Sequence, residues 1–248
     1  MCKLAMVAAL EREISPLIKN WTCTRREYEG RTFTFFEHAD IVVVCGGIGM
    51  QPARRCADAV IALHHPARLH SVGFAGALNK SLRVGDVFSP AVVIDARDGS
   101  RHDVSGGIGT LLTFMAVADM TQKTKLAQAY SAVAVDMEAA AVAAAAQARG
   151  IVFGATKVIS DELDFDMPGI GRFVSAEGRF KTPSFVLFAF LRPWLWWSVV
   201  VLALNSRKAS RALSAALEDF CRDMPKADSI PSAASSGAEI ASRSKGGQ

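Results

Sequence analysis

The sequence predicts a single α/β domain built in three layers, with a twisted, largely parallel central sheet flanked by helices. Short apolar runs of strand length alternate along the chain with longer segments of helical composition. Strand-like runs end repeatedly at a glycine-rich turn or an acidic helix start, as in β–α units. The 248 residues are 50% hydrophobic, enough to bury one sizeable core.

Leu4 to Leu10 reads as a buried first strand, and Glu11 to Ile18 as a helix with Pro16 confined to its first turn. Thr32 to Phe36 and Ile41 to Cys45 are β-rich runs separated by a polar turn. Gly46, Gly47 and Gly49 precede an Ala-rich helix from Ala53 to Leu63. His70 to Phe74 is a strand ending in Gly-Phe-Ala-Gly, Val84 to Val93 carries the next, and Thr110 to Val117 another. Thr121 to Tyr130 is helical by composition, and Val133 to Val135 is a short strand. Met137 to Arg149 is an Ala-rich helix closed by Gly150, and Ile151 to Ile159 follows as a strand. Leu204 to Cys221 is an amphipathic helix. The domain is expected over residues 1–223, with an aromatic-rich insert at 165–204 and a disordered Ser/Ala/Gly/Lys tail at 224–248.

Net charge is +4, without a basic run carrying interleaved aromatics, so nucleic acid is not an expected partner. The five cysteines form neither CxxC pairs nor a Cys/His cluster, so no metal site is expected. Scattered thiols fit the cytoplasm, and the apolar N-terminus is too soon followed by Glu11 and Glu13 to resemble a signal peptide.

Four strand-to-helix junctions carry candidate chemistry, each with a plain structural alternative. Glu11-Arg12-Glu13 could simply be an acidic first helical turn. Gly73-Phe74-Ala75-Gly76 could be a tight turn or a place where backbone approaches a ligand. In Val135-Asp136-Met137-Glu138, Asp136 could cap the helix; in Lys157-Val158-Ile159-Ser160-Asp161, so could Ser160 or Asp161. The order of all four, with Gly-Ile-Gly at 47–49 and Val84-Gly85-Asp86-Val87, is more specific than any one alone.

That series resembles the purine nucleoside phosphorylase/methylthioadenosine nucleosidase superfamily over roughly residues 4–164. The resemblance implies a nucleoside phosphorylase/nucleosidase-like fold and cleavage of an N-ribosyl bond. It makes Asp161 the acid at N7 of the purine and Glu13 the carboxylate that activates water. Met137 and Glu138 would hold the ribose, Lys157 would sit near the catalytic carboxylates, and Val117 would lie against the purine edge. Breaking this bond builds positive charge on the sugar and negative charge on the base, which suits a carboxylate beside one and an acid beside the other. The acid should be partly desolvated to keep its proton. Retention of Glu13, Glu138 and Asp161 together speaks against a non-catalytic nucleoside-binding protein.

Hydrolysis of a 5′-substituted adenosine is favoured over phosphorolysis. Glu13 would repel phosphate, Ser71 stands where hexameric phosphorylases place an arginine, and Phe74 replaces the turn serine. Phe74 should face the sugar side and exclude phosphate. No cofactor is expected, with inorganic phosphate as co-substrate only for a phosphorylase. The short stretch from Asp95 to Thr110 leaves the substrate's 5′ side open, or closed by a homodimer partner or by the insert. Ser184 to Leu204, interrupted at Arg192-Pro193, is expected to form two helical pieces, the second presenting aromatics at the mouth of the pocket, a subunit interface or a membrane surface. The insert also resembles hopanoid-associated phosphorylase-like members of the superfamily, which implies a lipid-bearing nucleoside as the alternative substrate.

Overall fold

The computed structural model describes residues 2–104, 106–165, 169–175, 178–192 and 195–223. The expected disordered tail, together with Asp166–Pro168, Pro193 and Trp194, lies outside the described residues.

The apolar runs become β1 (Leu4–Ala8), β4 (Ile41–Cys45), β5 (Arg68–Ala77) and β11 (Val152–Asp161), the parallel heart of the sheet. A second parallel group is formed by β7 (Val92–Asp95), β9 (Thr110–Thr113) and β10 (Ala134–Asp136). It joins the first where β10 pairs antiparallel with the end of β5. Antiparallel strands finish the margins: β2 (Thr22–Tyr28), β3 (Arg31–His38), β6 (Val87–Phe88) and β8 (Arg101–Asp103). The expected strand over Val84 to Val93 is thus two strands, and Thr110 to Val117 shortens to four residues before a loop.

Helices cover both faces, giving the three layers. On one face lie α2 (Met50–His64) and α4 (Ala139–Gln147), whose alanines pack on Val7, Val44, Leu69 and Ile159. Helix α4 starts two residues later than the composition suggests. The backbone N–H of Ala139 donates to Asp136 Oδ2 at 2.9 Å, which ends the strand side and leaves Met137 and Glu138 in the junction. Its last residue is Gln147, two short of the expected Arg149, and Gly150 follows at positive φ. On the other face, α1 (Glu11–Ile18) and α6 (Trp196–Arg222) bury Ile14, Leu17, Leu213 and Leu217 against β1. A further helix, α3 (Met120–Tyr130), begins at a capping box made by Asp119 and Gln122.

Pro16 lies beyond the first turn of α1, contrary to expectation. As a proline it cannot donate to the carbonyl of Arg12 four residues back. Ser210 Oγ of α6 donates to that oxygen instead, at 3.1 Å, so the proline costs no unpaired carbonyl.

The insert forms a 3-10 turn at Ile170–Phe173, then α5 (Thr182–Phe190), and continues into α6. Two helical pieces flank Arg192-Pro193 as expected, but the second runs without a break through Leu204 into the last helix. Phe173 ties the hairpin down, with Phe185 edge-on at 5.4 Å and Phe188 at 5.2 Å between centroids.

Candidate active site

A cavity of about 410 Å³ opens at the carboxyl ends of β1, β5, β10 and β11, the end where open α/β sheets collect ligands. Its floor is built from buried charge. Asp136, at the end of β10, accepts from Thr113 Oγ1 at 2.7 Å and pairs with Lys157 Nζ of β11 at 2.9 Å. Lys157 also donates to Ser71 Oγ at 3.1 Å. Both side chains are sealed from solvent, so the pair is a fixed electrostatic foundation.

Glu138 stands on that foundation. Its Oε1 accepts from the Gly49 N–H at 2.7 Å and its Oε2 from the Met137 N–H at 3.2 Å. Glu13 comes in from α1. Its Oε2 is buried and has no hydrogen-bond partner among the described residues. Burial, then the negative charge of Glu138, pushes Glu13 up to about 8, against the pull of Lys157 and Arg12. Burial, then Asp136, pushes Glu138 up to about 7, opposed by Lys157 and the two amides. Burial alone would lower Lys157, but Asp136, Glu138 and Glu13 outweigh it and raise its affinity for the proton.

Asp161 closes the opposite side. The β11–β5 register slips between Ile159 and Asp161, so the Ile-Ser-Asp motif is a bulge that turns the carboxylate toward the cavity. Ser160 Oγ donates to its Oδ1 at 2.7 Å. Lys123 of α3, only 2% exposed, donates to its Oδ2 and, at 2.7 Å, to the carbonyl of Glu162. Asp161 keeps about a quarter of its side chain exposed (26%), less desolvated than expected, and its partner Lys123 is the one buried residue of α3, docked onto the bulge.

The expected turn at Gly73-Phe74-Ala75-Gly76 is instead part of strand β5, and its glycines make room for these acids. A Cβ on Gly73 would lie 2.8 Å from Glu13 Oε2, and one on Gly76 2.9 Å from Asp161 Oδ2. The close approach is thus between backbone and catalytic-candidate side chains, rather than between backbone and ligand alone.

Of the other expected site residues, Met137 and Val117 line the cavity. Lys157 does not line it and sits behind Glu13 and Glu138, so it acts on the cavity only through other groups. Phe74 lines the cavity but also packs in the α1–α6 core, and it lines a smaller pocket with Arg12, Arg207 and Arg211 as well. Arg12 has its guanidinium over the Phe180 ring at 5.3 Å. The insert contributes Ile170, Val174, Phe185, Val199 and Leu202 to the cavity wall.

Buried carboxylates of raised proton affinity, backed by buried lysines at the carboxyl ends of parallel strands, are the kind of arrangement with which α/β enzymes move protons at a small bound molecule. Comparison with known proteins makes the class specific. The family model described as phosphorylase superfamily matches residues 3–109 and 104–177, and the chain belongs to that superfamily. It is an N-ribosyl hydrolase or phosphorylase. Among solved structures, the S-adenosylhomocysteine nucleosidase of Streptococcus pyogenes shares the fold with a TM-score of 0.69 at 18% identity, over 91% of this chain and 98% of that one. The 5′-methylthioadenosine nucleosidase of Arabidopsis thaliana gives 0.68 at 20% identity, over 90% and 95%. The futalosine hydrolase of Helicobacter pylori gives 0.67 at 15% identity, over 90% and 98%. A sequence search of curated proteins gives no match.

Proposed function

We propose that this chain hydrolyses the N-ribosyl bond of a 5′-substituted adenosine and releases adenine. The observation that carries the reading is Glu13: a buried carboxyl at the cavity, raised to about 8, with one oxygen that has no hydrogen-bond partner among the described residues. The sugar would lie there, with Met137 against its ring and Glu138 accepting from its hydroxyls. Water attacks the anomeric carbon and passes a proton to Glu13. The bonding pair leaves with the base, whose N7 takes a proton from the Asp161–Lys123 pair. Water and nucleoside thus become free sugar and purine, with no other reactant. The nucleosidases that share the fold support this choice of substrate class.

The repulsion expected between Glu13 and phosphate weakens once Glu13 carries a proton, as it does below about pH 8. Hydrolysis is preferred here on different ground. Arg12, the cation lining both the cavity and the neighbouring arginine pocket, is engaged by Phe180, and Phe74 lines both spaces with it. The apolar wall made by the insert favours a non-polar 5′ group, and a lipid-bearing adenosine is the second reading that this wall supports.

The test is to incubate the protein with methylthioadenosine, with and without phosphate, and to identify the sugar. Free methylthioribose with equal rates in both supports hydrolysis. A sugar 1-phosphate formed only with phosphate overturns it, and adenine release from neither overturns the substrate class.

A further inference from the structure

The α5–α6 hairpin presents apolar side chains on two opposite faces. Inward, Val199, Leu202 and Ala203 line the cavity, with the hydroxyl of Ser206 one turn further on. Outward, Trp197, Val200 and Leu204 form a second stripe along α6, with Trp197 77% exposed. On α5, Leu187, Phe190 and Leu191 are likewise exposed, Phe190 to 68%. An outer face of this size on a helix already anchored inside calls for a partner.

Charge selects the partner. Between residues 178 and 217 the chain has six cations, Arg179, Lys181, Arg192, Arg207, Lys208 and Arg211, and no aspartate or glutamate. An isologous contact between two copies would place this acid-free hairpin against itself, bringing like charges together. A surface of anionic lipid headgroups complements it, and tryptophan is a side chain favoured at the boundary between headgroup and hydrocarbon. Among the described residues, no helix is long and apolar enough to cross a membrane, so the fit is to lying on the surface.

We propose that the outer face of the α5–α6 hairpin docks this protein onto an anionic membrane surface, through Leu187, Phe190, Leu191, Trp197 and Leu204 with the flanking cations. Docking sets the cavity's apolar wall beside the bilayer. The proposal stands on this face alone and is independent of which nucleoside the cavity accepts.

Co-sedimentation of the full chain with vesicles tests it. Phosphatidylcholine vesicles containing phosphatidylglycerol should bind the protein, pure phosphatidylcholine should bind it at least about tenfold more weakly, and added salt should release it. The variant Phe190→Ser/Trp197→Ser should lose about tenfold or more in partitioning with an unchanged far-ultraviolet circular dichroism spectrum. Should that variant misfold, the salt and lipid dependence of the unaltered chain decides. No binding to anionic vesicles, equal binding to neutral ones, or a dimer in solution that this double variant dissociates would each overturn the proposal, the last in favour of a second copy on this face.

Discussion

On the sheet side of the cavity, the charges are held by partners of fixed geometry: Asp136 by Lys157, Thr113 and the Ala139 amide, Glu138 by two amides, Asp161 by Lys123 and Ser160. On the hairpin side, the wall is apolar and is fixed by ring contacts among Phe173, Phe185 and Phe188. The first kind of wall places single atoms, because a buried charge tolerates few arrangements. The second sets volume and hydrophobicity, and tolerates exchange of one apolar group for another. Chemistry should therefore fail abruptly with changes on the sheet side, and substrate preference should drift with changes on the hairpin side.

The largest effects are expected from the acids themselves. Glu13→Gln and Asp161→Asn should each lower turnover about 10²–10⁴-fold, with the fold intact by circular dichroism. Near-normal turnover in either would remove that residue from the chemistry. Next is Lys157→Met, which leaves Asp136 buried without its cation. Urea unfolding should show a loss of about 3–5 kcal/mol, and a loss under about 1 kcal/mol would mean the foundation is not electrostatic. Lys123→Met should cost roughly 10–100-fold in kcat, the worth of one charged hydrogen bond, with a smaller change in KM. Lys123→Arg should restore part of it. A KM effect alone would make Lys123 a contributor to binding only.

The pH profile is a gentler probe. Glu13 must be ionised to accept a proton, and Glu138 to accept from sugar hydroxyls. With these groups raised to about 8 and about 7, kcat/KM should climb between roughly pH 6.5 and 8.5. The residual activity of Glu13→Gln should lose the upper part of that climb. Stability runs the other way. A carboxyl raised on folding stabilises fully below its unfolded value of 4.5, and that contribution is lost as pH rises through about 8. Glu13→Gln should thus melt higher than the parent above pH 8 by thermal scan. Smallest of all, Leu202→Ala should raise KM for methylthioadenosine about threefold to tenfold with kcat nearly unchanged. A collapse of kcat in that variant would mean the hairpin also positions the acids.

Much of the sheet side could be read from the sequence, because each acid sits at a strand end inside a local motif. Glu13, Met137, Glu138 and Asp161 surround one cavity as the motif order suggests. Lys123 was not legible. It lies in the polar helix Met-Thr-Gln-Lys-Thr-Lys, where nothing distinguishes it from exposed Lys125, and its burial depends on where α3 docks. The capping box at Asp119 and Gln122 could have fixed the helix start, though not the lysine's role. Strand β2 escaped notice because an edge strand with much of both faces exposed carries little apolar alternation. The second helical piece after Arg192-Pro193 was expected, but its continuity with the helix from Leu204 was not, because the apolar run Trp-Trp-Ser-Val-Val-Val gives way near Leu204 to a charged amphipathic pattern that looks like a new start.

The hydroxyl that Ser210 lends to the carbonyl of Arg12 has a mechanical side. Helix α6 is one rod of 27 residues, about 40 Å long at the α-helical rise. One end carries Trp197 at the surface. Some 20 Å further along, the same rod grips the backbone one residue before Glu13. A continuous helix transmits a tilt along its axis better than it absorbs one. Pro16 has thus done more than shorten a hydrogen-bond ladder: by leaving one carbonyl vacant, it lets the helix that carries Trp197 bond directly to the residue beside Glu13.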